Sequence, residues 1–318
     1  MNPSLLVPLD GSPEAEQALP YAQALLPSGG QIRLFRVVPG LEMLLANEPA
    51  LTELQWVLAP APEATRNADL SAVQADLDRI GARIGDSQVT WSAEVVEGDP
   101  ATQLLQAIAR RGVDLVVMTT HGRGALGRAV FGSVADRVVR TSPVPVLLVR
   151  PTAADQAPAT ATIRRLLVPL DGSVLAEAAL TLARRLQIPV HLVRATNTAM
   201  VLATLSSGPF PVAPPADIYD RLTTDLEGAA ATYLNDVATR LQGEGLAATW
   251  EVRGGSPYDE IADASQPGDL LVLTSHGRGG VMRWLLGSVA EKLVREAPVP
   301  VLLVPAANRG DDAVGSGG

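Results

Sequence analysis

The sequence predicts an α/β protein built twice over: two tandem domains, each a five-stranded parallel sheet with helices on both faces. Three blocks that recur in one order predict the duplication. Leu5-Leu6-Val7-Pro8-Leu9-Asp10-Gly11-Ser12 is matched residue for residue by Leu166-Leu167-Val168-Pro169-Leu170-Asp171-Gly172-Ser173. Val117-Met118-Thr119-Thr120-His121-Gly122-Arg123-Gly124 returns as Val272-Leu273-Thr274-Ser275-His276-Gly277-Arg278-Gly279, and Pro143 to Val149 returns as Pro298 to Val304. A unit of about 150 residues is too long for a solenoid repeat, so each copy has to bury a core of its own. Within each copy apolar strands alternate with amphipathic helices, the pattern of a parallel sheet covered on both faces. The expected domains are 1–150 and 163–306, with 151–162, rich in Pro, Ala and Thr, as a linker and 307–318 as a disordered tail.

In the first copy Leu5 to Leu9 reads as a buried strand. Ser12-Pro13-Glu14-Ala15-Glu16 then opens a helix to about Leu26, with a serine N-cap, a proline in the first turn and early acids. Ile32 to Val38 is a second strand, Asp69 to Ile84 a helical pattern, Val89 to Val96 a third strand and Ala101 to Arg110 a helix. Asp114 to Met118 is a fourth strand, Ser133 to Arg140 a helix and Val144 to Val149 a fifth strand, and the second copy repeats this order from Arg165 to Val304. Two proline-rich stretches after strand two, Pro39 to Ala64 and Thr196 to Pro215, read as long loops. Such loops are lids beside a ligand or segments that pack on the other copy.

Composition narrows the function classes. The 318 residues are 47% hydrophobic and 19% charged, ordinary for a globular protein with room for two cores. The absence of cysteine excludes a disulfide framework, a thiolate metal site and a thiol nucleophile. With His121, His191 and His276 as the only histidines, an all-protein zinc site is not expected. A net charge of −9 argues against general affinity for nucleic acid, which depends on Lys and Arg neutralising phosphates. A Walker loop needs a lysine after its glycines, and the single lysine, Lys292, stands in no such motif. No window approaches the ~20 apolar residues that span a bilayer. The start, Met1-Asn2-Pro3-Ser4, lacks a signal-peptide pattern, so a cytoplasmic protein without a membrane partner is expected.

In open parallel sheets ligands bind beyond the carboxyl ends of the strands, where the strand order reverses. The repeated motifs fall at such ends. Asp10 and Asp171 follow strand one, Val37 and Ala195 end strand two, and the Thr-(Thr/Ser)-His-Gly-Arg-Gly loop follows strand four. Nine residues then separate Gly122 from Gly132-Ser133, and Gly277 from Gly287-Ser288, at the start of the last helix. Unpaired N–H groups at a helix N-terminus, with glycines that let an oxyanion approach, form a phosphate cradle.

Each candidate also has a structural reading. Asp10 and Asp171 either accept hydrogen bonds from ribose hydroxyls or an adenine amine, or cap the turn before the first helix. Ser133 and Ser288 donate to phosphate oxygens or act as helix N-caps. Arg123, Arg128, Arg278 and Arg283 supply positive charge beside the cradle or are solvated surface. His121 and His276 are placed for ligand contact or for bracing the loop, whereas His191 lies inside a strand and reads as structural. Gly122-Arg123-Gly124-Ala125-Leu126-Gly127 matches a dinucleotide fingerprint, but it follows strand four rather than strand one, and Met282 breaks it in the second copy. NAD binding is therefore not expected.

These blocks resemble the universal stress protein family in its tandem, two-domain form, over almost all of residues 1 to 306. The resemblance implies Rossmann-like domains of the adenine nucleotide alpha hydrolase-like type. In members that bind ATP it implies a Gly-x2-Gly-x9-Gly-(Ser/Thr) motif. Carried onto this chain, Gly122, Gly132, Ser133 and Val134 would hold ribose and phosphates, with Asp10 and Val37 at adenine. Gly277, Gly287, Ser288, Val289, Asp171 and Ala195 take those places in the second copy. Pro8, Thr119, His121 and Arg123, with Pro169, Thr274, His276 and Arg278, complete the expected nucleotide-binding sets.

The first glycine of the motif is replaced by Thr119 and by Thr274. A β-branched residue tolerates positive φ badly and adds bulk beside the ribose, which predicts weaker affinity or a shifted loop. Ala195 in place of valine trims one wall of the second site. The implied cofactors are ATP and Mg²⁺, the metal held mainly by the phosphates. No catalytic residue is expected, because no paired carboxylates, nucleophile with base, or lysine lie near the cradle. The family resemblance further implies pairing through the last strands, Val144 to Val149 and Val299 to Val304, within one chain or in a homodimer. Pro145 and Pro300 suit strand edges, where a missing N–H costs little. The expected function is a nucleotide-dependent regulator of the stress response with no or very slow hydrolysis. An interaction module of the same family that holds no nucleotide and a slow ATPase are the alternatives.

Overall fold

The computed structural model describes residues 3–26, 29–39, 63–84, 89–120, 132–153, 160–206, 216–275 and 287–305. The chain divides into two compact units, Met1–Thr162 and Ile163–Gly318. In the first, strands β1 (Ser4–Pro8), β2 (Gln31–Val38), β3 (Thr90–Glu97), β4 (Leu115–Thr119) and β5 (Val146–Val149) pair in parallel in the order β3-β2-β1-β4-β5. The order reverses between β1 and β4. Leu5, Leu6 and Val7 of β1 and Val116 and Val117 of β4 are buried, as strands covered on both faces require.

The helices of this unit are α1 (Pro13–Glu16), α2 (Leu19–Leu25), α3 (Glu63–Ile84), α4 (Pro100–Arg110) and α5 (Ser133–Thr141). Alternation along β2 separates the two faces. Arg36 Nη1 meets Asp76 of α3 at 2.8 Å, while Phe35 and Val37 share a cavity with Pro100 and Leu104 of α4. An ion pair between Arg83 and Glu16 ties α1 to α3. On α4 the buried stripe is Ala101, Leu104, Ala107 and Ile108, and its start is set by Asp99, whose carboxylate accepts from the Thr102 N–H at 3.0 Å.

The second unit repeats the plan. Strands β6 (Arg165–Pro169), β7 (Val190–Thr196), β8 (Ala248–Gly254), β9 (Asp269–Ser275) and β10 (Val301–Pro305) pair in parallel in the order β8-β7-β6-β9-β10, the same permutation. Its helices are α6 (Val174–Glu177), α7 (Ala179–Leu186), α8 (Thr198–Ser206), α9 (Ala216–Gly243), α10 (Pro257–Ala264) and α11 (Ser288–Glu296). Glu177 of α6 accepts from Tyr233 of α9 at 2.9 Å and from Arg240 at 2.5 Å. No described helix is long and apolar enough to cross a membrane.

Both halves thus have the parallel sheet and two helical faces expected, with local differences. The first helix is interrupted, because Gln17 and Ala18 donate to Glu14 and Ala15, three residues back. Pro20 follows at a place where no N–H is needed. The second copy is interrupted at the equivalent place, with Ala178 N–H bonded to Leu175 O, and has Thr181 where the first has Pro20, so the break does not depend on proline. Helix α3 starts at Glu63, earlier than the expected Asp69, since no proline or glycine interrupts 63–69. The stretch from Thr196 is not all loop: Thr198–Ser206 is helical, with Asn197 Oδ1 accepting from Met200 N at 2.8 Å, and the prolines that suggested a loop come later. Residues 40–62 and 207–215, half of the expected linker (154–159) and the expected tail lie outside the described residues.

Candidate functional site

The turn after the first strand is the same in both domains. Gly11 has φ 84° and Gly172 φ 89°, the left-handed region that favours glycine. Asp10 Oδ1 accepts from Ser12 N at 2.9 Å and from Ser12 Oγ at 2.5 Å, and Ser12 Oγ accepts from Ala15 N, capping α1. In the second domain Asp171 Oδ1 accepts from Ser173 N at 2.8 Å, and Ser173 Oγ caps α6 through Ala176 N. The turn-capping role foreseen for the two aspartates is therefore realised, and both remain exposed where their turns meet a cavity. Burial by itself raises the Asp171 carboxyl. The hydrogen bonds from Ser173 and the charge of Arg194 outweigh it and hold its pKa below the ordinary aspartate value.

In domain one a cavity of about 240 Å³ opens where the strand order reverses. Of the residues singled out from sequence, it brings together Pro8, Asp10, Val37, Thr119, Gly132, Ser133 and Val134. In domain two a cavity of about 380 Å³ brings together Pro169, Asp171, Ala195, Thr274, Gly287, Ser288 and Val289. His121, Gly122, Arg123 and Arg128, with His276, Gly277, Arg278 and Arg283, lie outside the described residues. Sequence reasoning missed the deeper apolar wall: Phe35, Met118 and Leu104 in domain one, and Val193, Leu273 and Ile261 in domain two. The signal available was strand alternation, which puts Phe35 on the same side as Val37.

The last helix of each domain begins at this cavity without a side-chain cap. Gly132 (φ −60°, ψ 140°) and Gly287 (φ −57°, ψ 155°) are the N-cap residues, so Ser133 and Ser288 are the first helical residues and not the caps. The contrast with the serine-capped α1 and α6 leaves these amide ends directed at the cavity. At Gly287 neither the backbone angle nor the surroundings demand glycine, since an added Cβ would meet nothing within 4 Å. The open space is where an oxyanion could reach the N–H groups.

Thr119 and Thr274 are strand residues rather than loop residues. Thr119 is paired with Val149 and Thr274 with Val304. Among the described residues Gln187 alone combines a side chain with positive φ, so the strain anticipated for these threonines does not arise. Their bulk does remain in the cavity lining. His191 sits in β7 with Nδ1 2.8 Å from Thr249 Oγ1, the structural role expected of it.

A model of the universal stress protein family matches residues 1–150 and again 162–305. The chain is 26% identical over 315 residues to a universal stress protein of Mycobacterium tuberculosis, covering 94% of this chain and 96% of the relative. A universal stress protein of Mycolicibacterium smegmatis is 26% identical over 307 residues, covering 94% and 96%. Among solved structures, a universal stress protein from Archaeoglobus fulgidus is similar in fold, with a TM-score of 0.65 at 17% identity over 96% of this chain and 98% of that one. Two family matches in succession, on two α/β units with the same strand permutation, establish that this chain belongs to the universal stress protein family as a tandem two-domain member.

Proposed function

We propose that both cavities bind an adenine nucleotide, ATP foremost, and that the protein is a cytoplasmic, nucleotide-dependent regulator of the stress response. One observation carries the reading: in each domain an uncapped helix N-terminus and an apolar wall line a single cavity. The N–H groups and the positive end of α5 or α11 suit phosphates. The apolar wall suits a base, and Asp10 or Asp171 at the turn suits a hydroxyl or amine donor. Mg²⁺ would be held through the phosphates. The hydroxyls beside the two turn carboxylates, Ser12 and Ser173, are engaged as caps of α1 and α6, which favours no hydrolysis or very slow hydrolysis.

The test is to denature the purified protein, identify any released small molecule by mass spectrometry, and titrate ATP into the emptied protein by calorimetry. Adenine nucleotide released, or heat of binding, is the expected result; an empty protein that gives no heat at saturating ATP rejects the proposal. The competing reading, an interaction module without nucleotide, draws on Thr119 and Thr274, whose side chains line the cavities where the ATP-binding pattern has glycine. On that reading Gly132→Ala and Gly287→Ala leave ligand binding and partner association unchanged.

A further inference from the structure

Towards the amino ends of its strands, the domain-one sheet bears a second cavity, of about 360 Å³. Among the described residues Phe35 is the one that its lining shares with the cavity at the carboxyl ends. The strand register sets its polar wall. Arg33 of β2 stands level with Ser92 of β3, and Phe35 with Glu94, so parallel pairing puts these side chains on one face. Glu94 is held in an ion pair with Arg111, just past the end of α4. Arg33 has no such partner. Among the described residues its one side-chain hydrogen bond runs from Nε to Ser4 Oγ at 2.8 Å, while Asp114 takes the Ser4 N–H, so both terminal amino groups of the guanidinium are left unbonded. The side chains of Gln31 and Ser92, which line the same cavity, are likewise without a partner among the described residues.

The equivalent places in domain two satisfy one another. His191 stands where Arg33 does, level with Thr249, and its ring meets Thr249 Oγ1 at 2.8 Å and Glu251 at 3.3 Å. Arg165, in the place of Ser4, holds Asp269. Domain one therefore sets a half-buried guanidinium at a cavity where domain two makes a closed set of contacts. We propose that this cavity is an oxyanion site, in which the terminal amino groups of Arg33 grip a phosphate or carboxylate and Ser92 Oγ and the Gln31 amide donate beside them. A guanidinium is weakly hydrated and pairs with two oxygens at once, which suits it to such groups. Its charge stands uncancelled in the cavity wall, since Glu94 and Arg111 neutralise each other. The site is independent of nucleotide binding at the carboxyl ends of the strands.

The probes are inorganic phosphate and, separately, succinate, each titrated into the isotope-labelled full chain at constant ionic strength and followed by NMR at the Arg33 Nε–H and the Ser92 amide. The expected result is a saturable shift at both groups with at least one probe, and the probe that saturates at the lower concentration tells phosphate from carboxylate. Arg33→Gln, read at the Ser92 amide, should weaken binding by about tenfold or more. Ser92→Asp places a carboxylate level with Arg33, closing the site from within as domain two does, and should abolish the response at the Arg33 Nε–H. Any phosphate response of the Gly132 and Gly287 amides should be the same in parent and variants, which keeps binding at the helix starts apart. Should Arg33→Gln fail to fold, Ser92→Asp decides alone: a lost response supports the site and a retained one overturns it. No saturation at Arg33 with either probe also overturns it, whatever ATP does at the other cavities.

Discussion

At the amino end of its first strand, domain one meets a carboxylate with a backbone N–H where domain two uses a guanidinium. The Ser4 N–H donates to Asp114 Oδ2 at 2.9 Å, and Arg33 Nε donates to Ser4 Oγ at 2.8 Å. In domain two Arg165 stands in the place of Ser4 and grips Asp269 with two bonds, Nε to Oδ1 at 2.7 Å and Nη2 to Oδ2 at 2.9 Å. The Asp269 side chain is only 2% exposed. The carboxylate is retained in both copies while its partner changes, which shows that the duplicated framework fixes the need for a bond but not the chemistry that meets it. The carboxyl ends differ likewise. Arg36 donates from Nε to Leu9 O and from Nη1 to Asp76, whereas Arg194 lies over the Tyr233 ring, 5.2 Å from its centroid.

The largest expected effect breaks this comparison at its buried end. Arg165→Ala leaves Asp269 without its cation and should cost domain two about 3–5 kcal/mol. Ser4→Ala keeps the N–H that meets Asp114 and removes only the hydroxyl that accepts from Arg33, so it should cost domain one about 1 kcal/mol. Urea denaturation with hydrogen exchange resolved by domain measures both, and equal losses would contradict the difference drawn above.

Next in size are the helix starts. Gly287→Ala and Gly132→Ala should leave the melting temperature close to that of the parent, because both glycines have ordinary φ. They should weaken ATP by about 1–3 kcal/mol, because the added methyl occupies the open space that a bound phosphate would fill. Calorimetry on the two variants separately shows whether the domains respond alike; unaltered affinity would favour the interaction-module reading.

The serine caps give a smaller effect. Ser12→Ala and Ser173→Ala should each lose about 1 kcal/mol of stability. The second should also raise the Asp171 pKa, since it removes the hydroxyl that helps hold that carboxyl low. An NMR titration of Asp171 in parent and variant reads this shift.

The smallest effect is the pH dependence that follows. With its folded pKa below its unfolded one, Asp171 contributes stability above the unfolded value, near pH 4, and loses it as pH falls through the folded value. Domain two of the Ser173→Ala variant should therefore lose less stability on acidification than the parent. A parallel acid profile for the two proteins would remove Ser173 as the cause.

Much of the fold was legible because its signals are local. The apolar runs at Leu5, Val117 and Val146 and the Asp-Gly-Ser turn carry their meaning within a few residues. Thr119 and Thr274 read as loop residues because the glycine-rich segment follows them directly. The structure extends the strands through them, since pairing continues to Thr119 with Val149 in domain one and to Thr274 with Val304 and Ser275 with Pro305 in domain two. Helix Thr198–Ser206 was hidden by later prolines, although Asn197 was a readable N-cap.

By itself the sequence determined the duplication, the alternation of strand and helix, and the positions of the aspartate turn and the Gly-Ser helix start, all set by short-range pattern and backbone preference. Only the tertiary structure decided that Phe35 and Val37 face a cavity while Arg36 faces α3, and that Arg165 reaches Asp269 across 104 positions of sequence. It alone decided the unequal size of the two cavities. The reason is physical: parallel strands bring together side chains far apart in sequence, so volumes and ion pairs are properties of packing and not of any segment.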